Sequence, residues 1–342
     1  MSTPRHILVM RFSAMGDVAM TVPVIKALLN QHPDVVVTFV SRAGFRQFFA
    51  DIPRLNYFAV DLNGEHKDFP GILKLSKQLK AQGKYAAVAD LHNNLRSNIL
   101  GFLFKFSGVR VKQVDKGRNE KKLLTRFPDK VLKPLKRTVQ RYADVFTELG
   151  FPVVLDNQLI RSEQSLPTAV KELFGEKQMA WIGVAPFAQH VGKIYPPEKM
   201  ETVLRLLQQC QVKVFLFGGS PREKEICEQW EKDFTNVIST VNRLNMQLEL
   251  QLISNLNVML SMDSAGMHLA SLCGVPAVSV WGATHHFAGF LGYGQSEENI
   301  VADDLECRPC SIYGNKPCFR KDYACMHNIM PDVIVNKLLK FV

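Results

Sequence analysis

The chain has 342 residues, of which 46% are hydrophobic and 22% are charged. These values are ordinary for globular proteins and exclude a disordered or fibrous chain, and the length favours two domains. Lysine and arginine number 42 against 32 aspartate and glutamate, a net charge of +10, which favours an anionic partner such as nucleic acid, phospholipid or a phosphorylated substrate.

The first half of the chain alternates apolar, β-branched runs with helical patterns. Such alternation predicts a parallel sheet covered by helices on both faces. The predicted strands are 7–10, 35–40, 85–90 and 109–111, and the predicted helices are 18–31, 69–82 and 94–106.

A second alternating series follows a polar, proline-bearing connection at 150–167. Its predicted strands are 179–185, 212–217, 258–261 and 277–280, and its predicted helices are 198–209, 222–234, 246–254 and 266–273. The sequence therefore predicts an α/β protein with two Rossmann-like domains, residues 1–155 and 156–330. A proline followed by an apolar stripe predicts that a C-terminal helix, 331–342, packs back onto the body.

The N-terminus reads as neither a signal peptide nor a transit peptide, and no apolar run approaches a spanning length. We therefore expect a cytoplasmic protein whose membrane contact, if any, is peripheral. Residues 110–140 hold eleven Lys or Arg against three acids. A solvated surface loop is the ordinary interpretation of such a run, and contact with an anionic partner is the alternative.

Ligands of open α/β sheets bind beyond the carboxyl ends of the strands, so the loops there are the first candidates for a binding site. The first strand is followed by SAMGD at 13–17, where Gly16 permits close approach and Asp17 enters a helix. Catalysis by Asp17 and simple capping of the helix by Ser13 or Asp17 are equally open. In the second half, Lys193 follows the first strand and could neutralise a phosphate, although a loop lysine is common on any surface.

The segment DSAGMH at 263–268 lies where a strand turns into a helix. Asp263 ends the strand, and the backbone N–H groups from Ser264 to Gly266 suit phosphate binding at a helix N-terminus. His268 lies one turn further on, where a function is favoured over a place in the core. Glu223, after the paired glycines of FGGSPRE, could bind ribose hydroxyls or serve its own helix N-terminus.

Together these segments resemble the ADP-heptose:lipopolysaccharide heptosyltransferases, family 9 of the glycosyltransferases, over nearly the whole chain. Three motifs carry the resemblance: SAMGD at 13–17, KIYP at 193–196 for the family's Lys-x-Trp-Pro, and DSAGMH at 263–268 for Asp-Ser/Thr-Gly-x-x-His. The resemblance implies a GT-B fold, in which two Rossmann-like domains face each other across a cleft. Ala265 and Tyr195 depart from the family's usual glycine and tryptophan.

The resemblance also implies roles for individual residues. Asp17 would be the general base for the acceptor hydroxyl, and Lys193 would hold the departing diphosphate. The donor site would comprise Lys193, Glu223 at the ribose, Leu244 near the adenine, Asp263, Ser264, Gly266 and His268. The acceptor side would comprise Ser13, Gly16, Arg96, Lys121 and Lys122, with the basic segment meeting an acidic glycolipid or the anionic inner membrane.

The chemistry expected is an inverting transfer of heptose from ADP-heptose to a lipopolysaccharide inner-core acceptor. The sequence has no Asp-x-Asp motif to hold a divalent cation, so lysine and a helix N-terminus must stabilise the diphosphate. No cofactor is therefore expected to be required for catalysis.

Four cysteines, Cys307, Cys310, Cys318 and Cys325, lie within nineteen residues. The count and the Cys-x-x-Cys spacing suit a structural zinc site, and a cytoplasmic setting disfavours disulfides. Structural metal and unliganded or redox-active thiols both remain open.

Other functions fit the sequence less well. A nicotinamide dehydrogenase should show Gly-x-Gly-x-x-Gly after the first strand, where the sequence has none. A non-enzymatic protein that binds anionic ligands or nucleic acid would explain the charge but not the polar residues at the sheet edges, so nucleic acid is not an expected partner. A different nucleotide-sugar donor, or a sugar-nucleotide epimerase, remains an alternative.

Overall fold

The computed structural model describes residues 4–161 and 165–342, so the first three residues and residues 162–164 of the predicted connection lie outside the described ranges. The chain divides into two compact units. Unit 1 contains the residues up to Lys116 together with Lys136–Asp156, and unit 2 contains Gly117–Leu135 and Asn157–Val342.

Unit 1 is built on a five-stranded sheet with the order β3-β2-β1-β4-β5. Each pair of neighbouring strands is parallel. The strands are rich in apolar residues, as expected for a sheet buried on both faces. They are β1 (Arg5–Met10), β2 (Val35–Ser41), β3 (Leu55–Ala59), β4 (Ala87–Asp90) and β5 (Arg110–Gln113).

Helices cover both faces of this sheet. Leu8 and Met10 of β1 pack with Leu75 and Phe104 in one core cluster. Ile7 and Val9 alternate with them along the strand and are equally buried, because successive side chains point to opposite faces. The helices of unit 1 are α1 (Met15–Ala19), α2 (Thr21–Gln31), α3 (Phe69–Ala81), α4 (Leu95–Phe106) and α6 (Thr138–Glu148). Helix α5 (Arg118–Leu124) lies between α4 and α6 in the sequence but belongs to unit 2.

Unit 2 has a six-stranded sheet with the order β11-β10-β9-β6-β7-β8. All of its strand pairs are parallel. Its strands are β6 (Ala180–Ala185), β7 (Val212–Leu216), β8 (Val237–Ser239), β9 (Val258–Met262), β10 (Ala277–Trp281) and β11 (Ile300–Ala302). Besides α5, its helices are α7 (Thr168–Phe174), α8 (Pro197–Gln208), α9 (Pro221–Asp233), α10 (Met246–Ser254), α11 (Ala265–Leu272), α12 (Ala324–His327) and α13 (Pro331–Leu338).

The C-terminal helix packs back onto unit 2, as the sequence predicts. Ile334 and Leu338 of α13 are fully buried in the core that also contains Met200 of α8 and Val184 of β6. Among the helices of the described part of the chain, none combines the length and apolar character needed to cross a membrane.

The predicted α/β architecture with parallel sheets is confirmed, but one assignment of a segment is corrected. The predicted first domain, 1–155, includes residues 117–135, whereas the structure packs Gly117–Leu135 with unit 2. Leu135 donates its backbone N–H to the Phe287 carbonyl at 2.9 Å, and Leu124 and Leu135 are buried beside Ala288. Apolar contacts with unit 2 therefore decide where this basic segment lies.

Candidate active site

The polar loops of unit 1 lie where β1 and β4 end. These strands are neighbours at the centre of the sheet, with β2 on one side and β5 on the other. The carboxyl ends of such a pair form a topological switch point, where ligands of α/β proteins bind. Arg11 follows β1 directly, Asp90 ends β4, and Leu91 donates its N–H to the Met10 carbonyl at 3.0 Å. The two loops are therefore adjacent.

Asp17 is held by a buried arginine that the sequence analysis did not single out. The Arg11 guanidinium forms an ion pair with the Asp17 carboxylate and donates from Nη1 to the Leu91 carbonyl at 2.8 Å. Asp17 Oδ2 also accepts a hydrogen bond from the Ala14 N–H at 3.4 Å, so the capping interpretation holds in part. The Asp17 side chain is nevertheless 29% exposed, which leaves the carboxylate oriented and accessible to solvent.

A second group of polar side chains follows β4. The fully buried Asp90 carboxylate accepts from the His92 N–H at 2.9 Å and from the Ser97 hydroxyl at 2.8 Å, and burial raises its pKa. His92 Nδ1 accepts from the Phe12 N–H at 3.2 Å. Burial, reinforced by the positive charge of Arg11, lowers the pKa of His92 to about 3. His92 is therefore neutral near pH 7.

The predicted acceptor residues Ser13, Gly16 and Arg96 also lie at this edge of unit 1. Ser13 is in the loop after β1, Gly16 is in α1 and Arg96 is in the first turn of α4. Arg96 donates from Nε to the Lys67 carbonyl at 3.3 Å. His92 is not among the site residues predicted from the sequence. The signal that indicates it is the polar run DLHNN at 90–94, directly after an apolar strand.

Lys121 and Lys122 are placed differently from the prediction. Both lie in α5, which belongs to unit 2. Lys121 is buried, and its Nζ lies 4.4 Å from the centroid of the Phe290 ring and 6.0 Å from that of Tyr313. Such a cation–π contact stabilises a buried ammonium group. Lys121 therefore anchors the basic segment, while Lys122 is exposed.

In unit 2, two residues predicted separately form one ion pair. β6 and β9 are neighbours, and Ala185 at the end of β6 pairs with Ser261. The loops that follow them carry Lys193 and Asp263, whose Nζ and Oδ2 atoms lie 3.0 Å apart. The side chains are only 17% and 5% exposed. The structure thus places a largely buried cation at the switch point of the second sheet.

Two glycines allow close packing around Lys193, one against its side chain and one in its loop. A Cβ at Gly314, whose φ is +76°, would lie 2.4 Å from Lys193 Cγ. A Cβ at Gly192 would lie 2.9 Å from Ala283 Cβ, and the Gly192 carbonyl accepts from the Ala283 N–H at 2.8 Å. Any side chain at either position would displace the lysine or its loop.

The start of α11 lies directly against this pair. Ser264 is the N-cap residue, and its hydroxyl lies 3.4 Å from the hydroxyl of Ser261. A Cβ at Gly266 would lie 2.6 Å from Ala185 Cβ and 2.9 Å from Ser261 Oγ. Gly266 therefore lets α11 approach β6, and His268, four residues after the N-cap Ser264, is buried. The backbone N–H groups of the first turn belong to a helix N-terminus, which favours an anion.

We expect Gly266→Ala to destabilise the protein, because no small movement of a flexible side chain can relieve contacts with Ala185 and Ser261. The expected loss is about 1–3 kcal/mol, the usual cost of overpacking, measured by urea unfolding. Gly219→Ala is the matched control, since a Cβ at Gly219 has nothing within 4 Å. Equal stability of the two variants would contradict the packing role of Gly266.

Glu223 and Leu244 lie in other loops of unit 2. Glu223 Oε2 accepts from the N–H groups of Gly219 at 2.7 Å and Ser220 at 2.9 Å, and the Ser220 hydroxyl accepts from the Glu223 N–H at 3.2 Å. This is a capping box at the start of α9. The capping interpretation of Glu223 is therefore observed. Leu244 is partly exposed just before α10.

Tyr195, which stands where the family usually has tryptophan, has a packing role. Its ring is 1% exposed, and its hydroxyl donates to the Ile329 carbonyl at 2.9 Å. Tyr195 thereby fixes the chain just before α13.

The four C-terminal cysteines line one small pocket of unit 2. Burial raises the pKa of Cys310, and it raises that of Cys325 to about 12, so both favour the neutral thiol. Within residues 4–161 and 165–342, no three His, Cys, Asp or Glu side chains are arranged to hold a metal ion. The structural zinc site stays a prediction. Metal analysis of freshly purified, reduced protein tests the predicted zinc directly.

Two parallel sheets, each with a polar switch point, define an α/β protein that can bind ligands beyond the carboxyl ends of its central strands. The chain belongs to glycosyltransferase family 9: the model of this family, Glycosyltransferase family 9 (heptosyltransferase), matches residues 72–317. The family resemblance predicted from the three motifs is therefore confirmed.

Individual relatives agree with this assignment. The chain is 23% identical to lipopolysaccharide heptosyltransferase 3 of Escherichia coli over 291 residues, 81% of this chain and 83% of the relative. It is also 23% identical to lipooligosaccharide heptosyltransferase 2 of Campylobacter jejuni over 132 residues, 37% of this chain and 40% of that protein. The chain thus spans about two fifths of the length of that relative.

The fold is similar to that of E. coli heptosyltransferase WaaC, solved with ADP-2-deoxy-2-fluoro heptose. The TM-score is 0.66 at 17% sequence identity, covering 98% of this chain and 99% of WaaC. The GT-B type of α/β fold is therefore confirmed.

Proposed function

We propose that the protein is an inverting, metal-independent heptosyltransferase that transfers heptose from ADP-heptose to a lipopolysaccharide inner-core acceptor. The observation that carries the proposal is the largely buried Lys193–Asp263 pair beside the start of α11. A fixed cation next to helix N–H groups suits a diphosphate leaving group. The name of the E. coli relative and the sugar nucleotide bound to WaaC support heptose and ADP.

On the donor side, Lys193 would neutralise the developing diphosphate charge in place of a divalent cation. The ion pair with Asp263 keeps the ammonium group in position before the donor binds. Ser264, Gly266 and His268 would border the phosphates and sugar, as the family resemblance implies. Glu223 would contact the ribose and Leu244 the adenine, as the family resemblance implies.

On the acceptor side, Asp17 would act as the general base, and the other titratable groups at this edge are less suited to it. Asp90 is fully buried and already accepts several hydrogen bonds. His92 has a pKa of about 3 and is too weak a base near pH 7. Asp17 is partly exposed to solvent and is oriented by Arg11.

The proposed reaction is a single displacement at the anomeric carbon of the donor. The acceptor oxygen forms a bond to the anomeric carbon while the bond from that carbon to the diphosphate oxygen breaks. The acceptor proton passes to the Asp17 carboxylate, and ADP leaves with the electron pair of the broken bond. Attack opposite the leaving group inverts the anomeric configuration.

We also propose that the acceptor is an acidic glycolipid and that the protein works in the cytoplasm, peripherally on the inner membrane. The net charge of +10 supports an anionic partner. Arg96, at the edge that carries Asp17, would contact the acceptor's acidic groups, and so would the exposed Lys122.

Thermal unfolding with ADP, UDP, GDP and NAD at matched concentrations tests the donor. We expect selective stabilisation by ADP, about 2.7 kcal/mol at ~100 times its dissociation constant. A transfer assay with ADP-heptose and a heptose-deficient inner-core acceptor then tests the reaction. Selective stabilisation by UDP or GDP would overturn the ADP assignment, and turnover of the donor without any acceptor would favour an epimerase.

A further inference from the structure

Helix α4 of unit 1 carries an apolar stripe that faces solvent. Leu95 is 76% exposed, Phe102 is 65% exposed and Phe106 is 86% exposed, the highest value among the large apolar side chains of the described residues. Their spacings of seven and four residues place them on one side of an α-helix. The opposite side, with Leu100 and Phe104, is buried in the core. α4 is thus apolar on two faces, and only one of them is covered within unit 1.

The chain segment that contains the stripe is rich in cations. Residues 69–114 contain eight Lys or Arg and a single acid, the fully buried Asp90. Lys105 is exposed beside Phe102 and Phe106 on α4. Lys80 of α3 donates from Nζ to the Leu103 carbonyl at 3.2 Å and to the Ser107 hydroxyl at 2.7 Å, which holds another positive charge at the C-terminal end of α4. Lys74 and Lys112 are exposed too, but they pair with Glu65 at 2.8 Å and Glu148 at 3.2 Å. The exposed cations of residues 69–114 that have no acidic partner in an ion pair among the described residues are Lys77, Lys80, Lys84, Lys105 and Arg110.

We propose that this α4 face, Leu95, Phe102 and Phe106 with the surrounding cations, docks the protein onto an anionic lipid bilayer. Large apolar side chains rimmed by Lys and Arg insert into the interface while the cations meet anionic headgroups. A second copy of the chain fits less well, because it would bring the same positive charges together.

Docking through α4 would bring the candidate acceptor site close to the bilayer. This step of the inference rests on the proposed function. α4 begins at Leu95, directly after its N-cap residue Asn94. Asn94 lies in the same loop as His92. Leu95 and Arg96 therefore lie at the edge of the sheet that carries Asp17. A face inserted at α4 would hold that edge close to the bilayer from which a glycolipid acceptor extends.

Cosedimentation of the full chain with vesicles tests the proposal. We expect binding to vesicles that contain phosphatidylglycerol, and little binding to pure phosphatidylcholine vesicles. Phe102→Ser with Phe106→Ser should weaken binding about tenfold or more, because both inserted rings are lost. Lys77→Gln with Lys105→Gln should weaken it by about fivefold per residue.

Phe127→Ser with Phe319→Ser is the matched control, since these rings are 56% and 54% exposed in unit 2. This control should bind vesicles as the unchanged protein does. Failure of the unchanged protein to bind, full binding by the Phe102/Phe106 variant, or loss of binding only in the Phe127/Phe319 variant would overturn the proposal. So would a dimer in size-exclusion chromatography that the Phe102/Phe106 substitutions abolish.

Thermal stabilisation by ADP separates this proposal from the proposed function. The Phe102/Phe106 variant should keep the full ADP response while it loses vesicle binding. Absence of an ADP response in the unchanged protein would count against the donor assignment and leave the vesicle result standing.

Discussion

Asp17→Asn is expected to lower turnover by roughly 10²–10⁴-fold, the usual contribution of a positioned general base. The amide keeps the size of the side chain and can still accept from the Ala14 N–H. It cannot take the acceptor proton, and His92, with a pKa of about 3, cannot replace it. The measurement is steady-state transfer of heptose at saturating donor and acceptor.

Asp34→Asn is the matched control for this substitution. Asp34 also pairs with an arginine, Arg5, and its side chain is 33% exposed against 29% for Asp17. It precedes β2, at the amino end of the sheet and away from the switch point. Asp34→Asn should retain turnover. Near-normal turnover in Asp17→Asn would remove Asp17 from the role of base, and an equal loss in both variants would point to damaged folding of unit 1.

The parallel sheets could be predicted from the sequence because their strands are continuous apolar runs. Such runs predict β1, β2, β6, β9 and β10 from the local sequence alone. The short strands β3, β8 and β11 were missed. β3, for example, has the partly exposed pattern of an edge strand, so it lacks the strong signal of a strand buried on both faces.

The path of the basic segment could not be predicted, because it depends on contacts distant in sequence. Lys130 donates from Nζ to the Glu306 carbonyl at 3.0 Å and to the Arg308 carbonyl at 2.7 Å. Lys121 lies over the Phe290 ring. A lysine that bonds backbone carbonyls or aromatic rings looks the same in the sequence as one that faces water.

The candidate site was predictable to the extent that each residue belongs to a motif. Asp17, Lys193 and Asp263 belong to such motifs. Arg11 was missed, because an arginine after a strand is ordinary until its burial and its ion pair with Asp17 are seen. The sequence could also not show that Lys193 and Asp263, seventy residues apart, share one ion pair.

Lys193→Met is expected to lower turnover by about 10²–10³-fold, the usual effect of removing one group that stabilises transition-state charge. Methionine keeps much of the apolar stem that passes Gly314 but removes the ammonium group. The stabilisation by ADP should fall as well, because the diphosphate loses its cation. Lys224→Met is the matched control: Lys224 pairs with Glu228 at 3.5 Å on an exposed face of α9, and its loss should leave both measurements unchanged.

A double variant separates chemistry from folding. Lys193→Met alone leaves the Asp263 carboxylate, 5% exposed, without its cation, and an uncompensated buried charge destabilises the folded state. Adding Asp263→Asn removes that charge, so the thermal unfolding midpoint should rise again towards that of the unchanged protein. Turnover and the ADP response should stay low, because the diphosphate still has no cation. If both recovered with the midpoint, Lys193 would serve only to neutralise Asp263, and the diphosphate would be stabilised by the start of α11 alone.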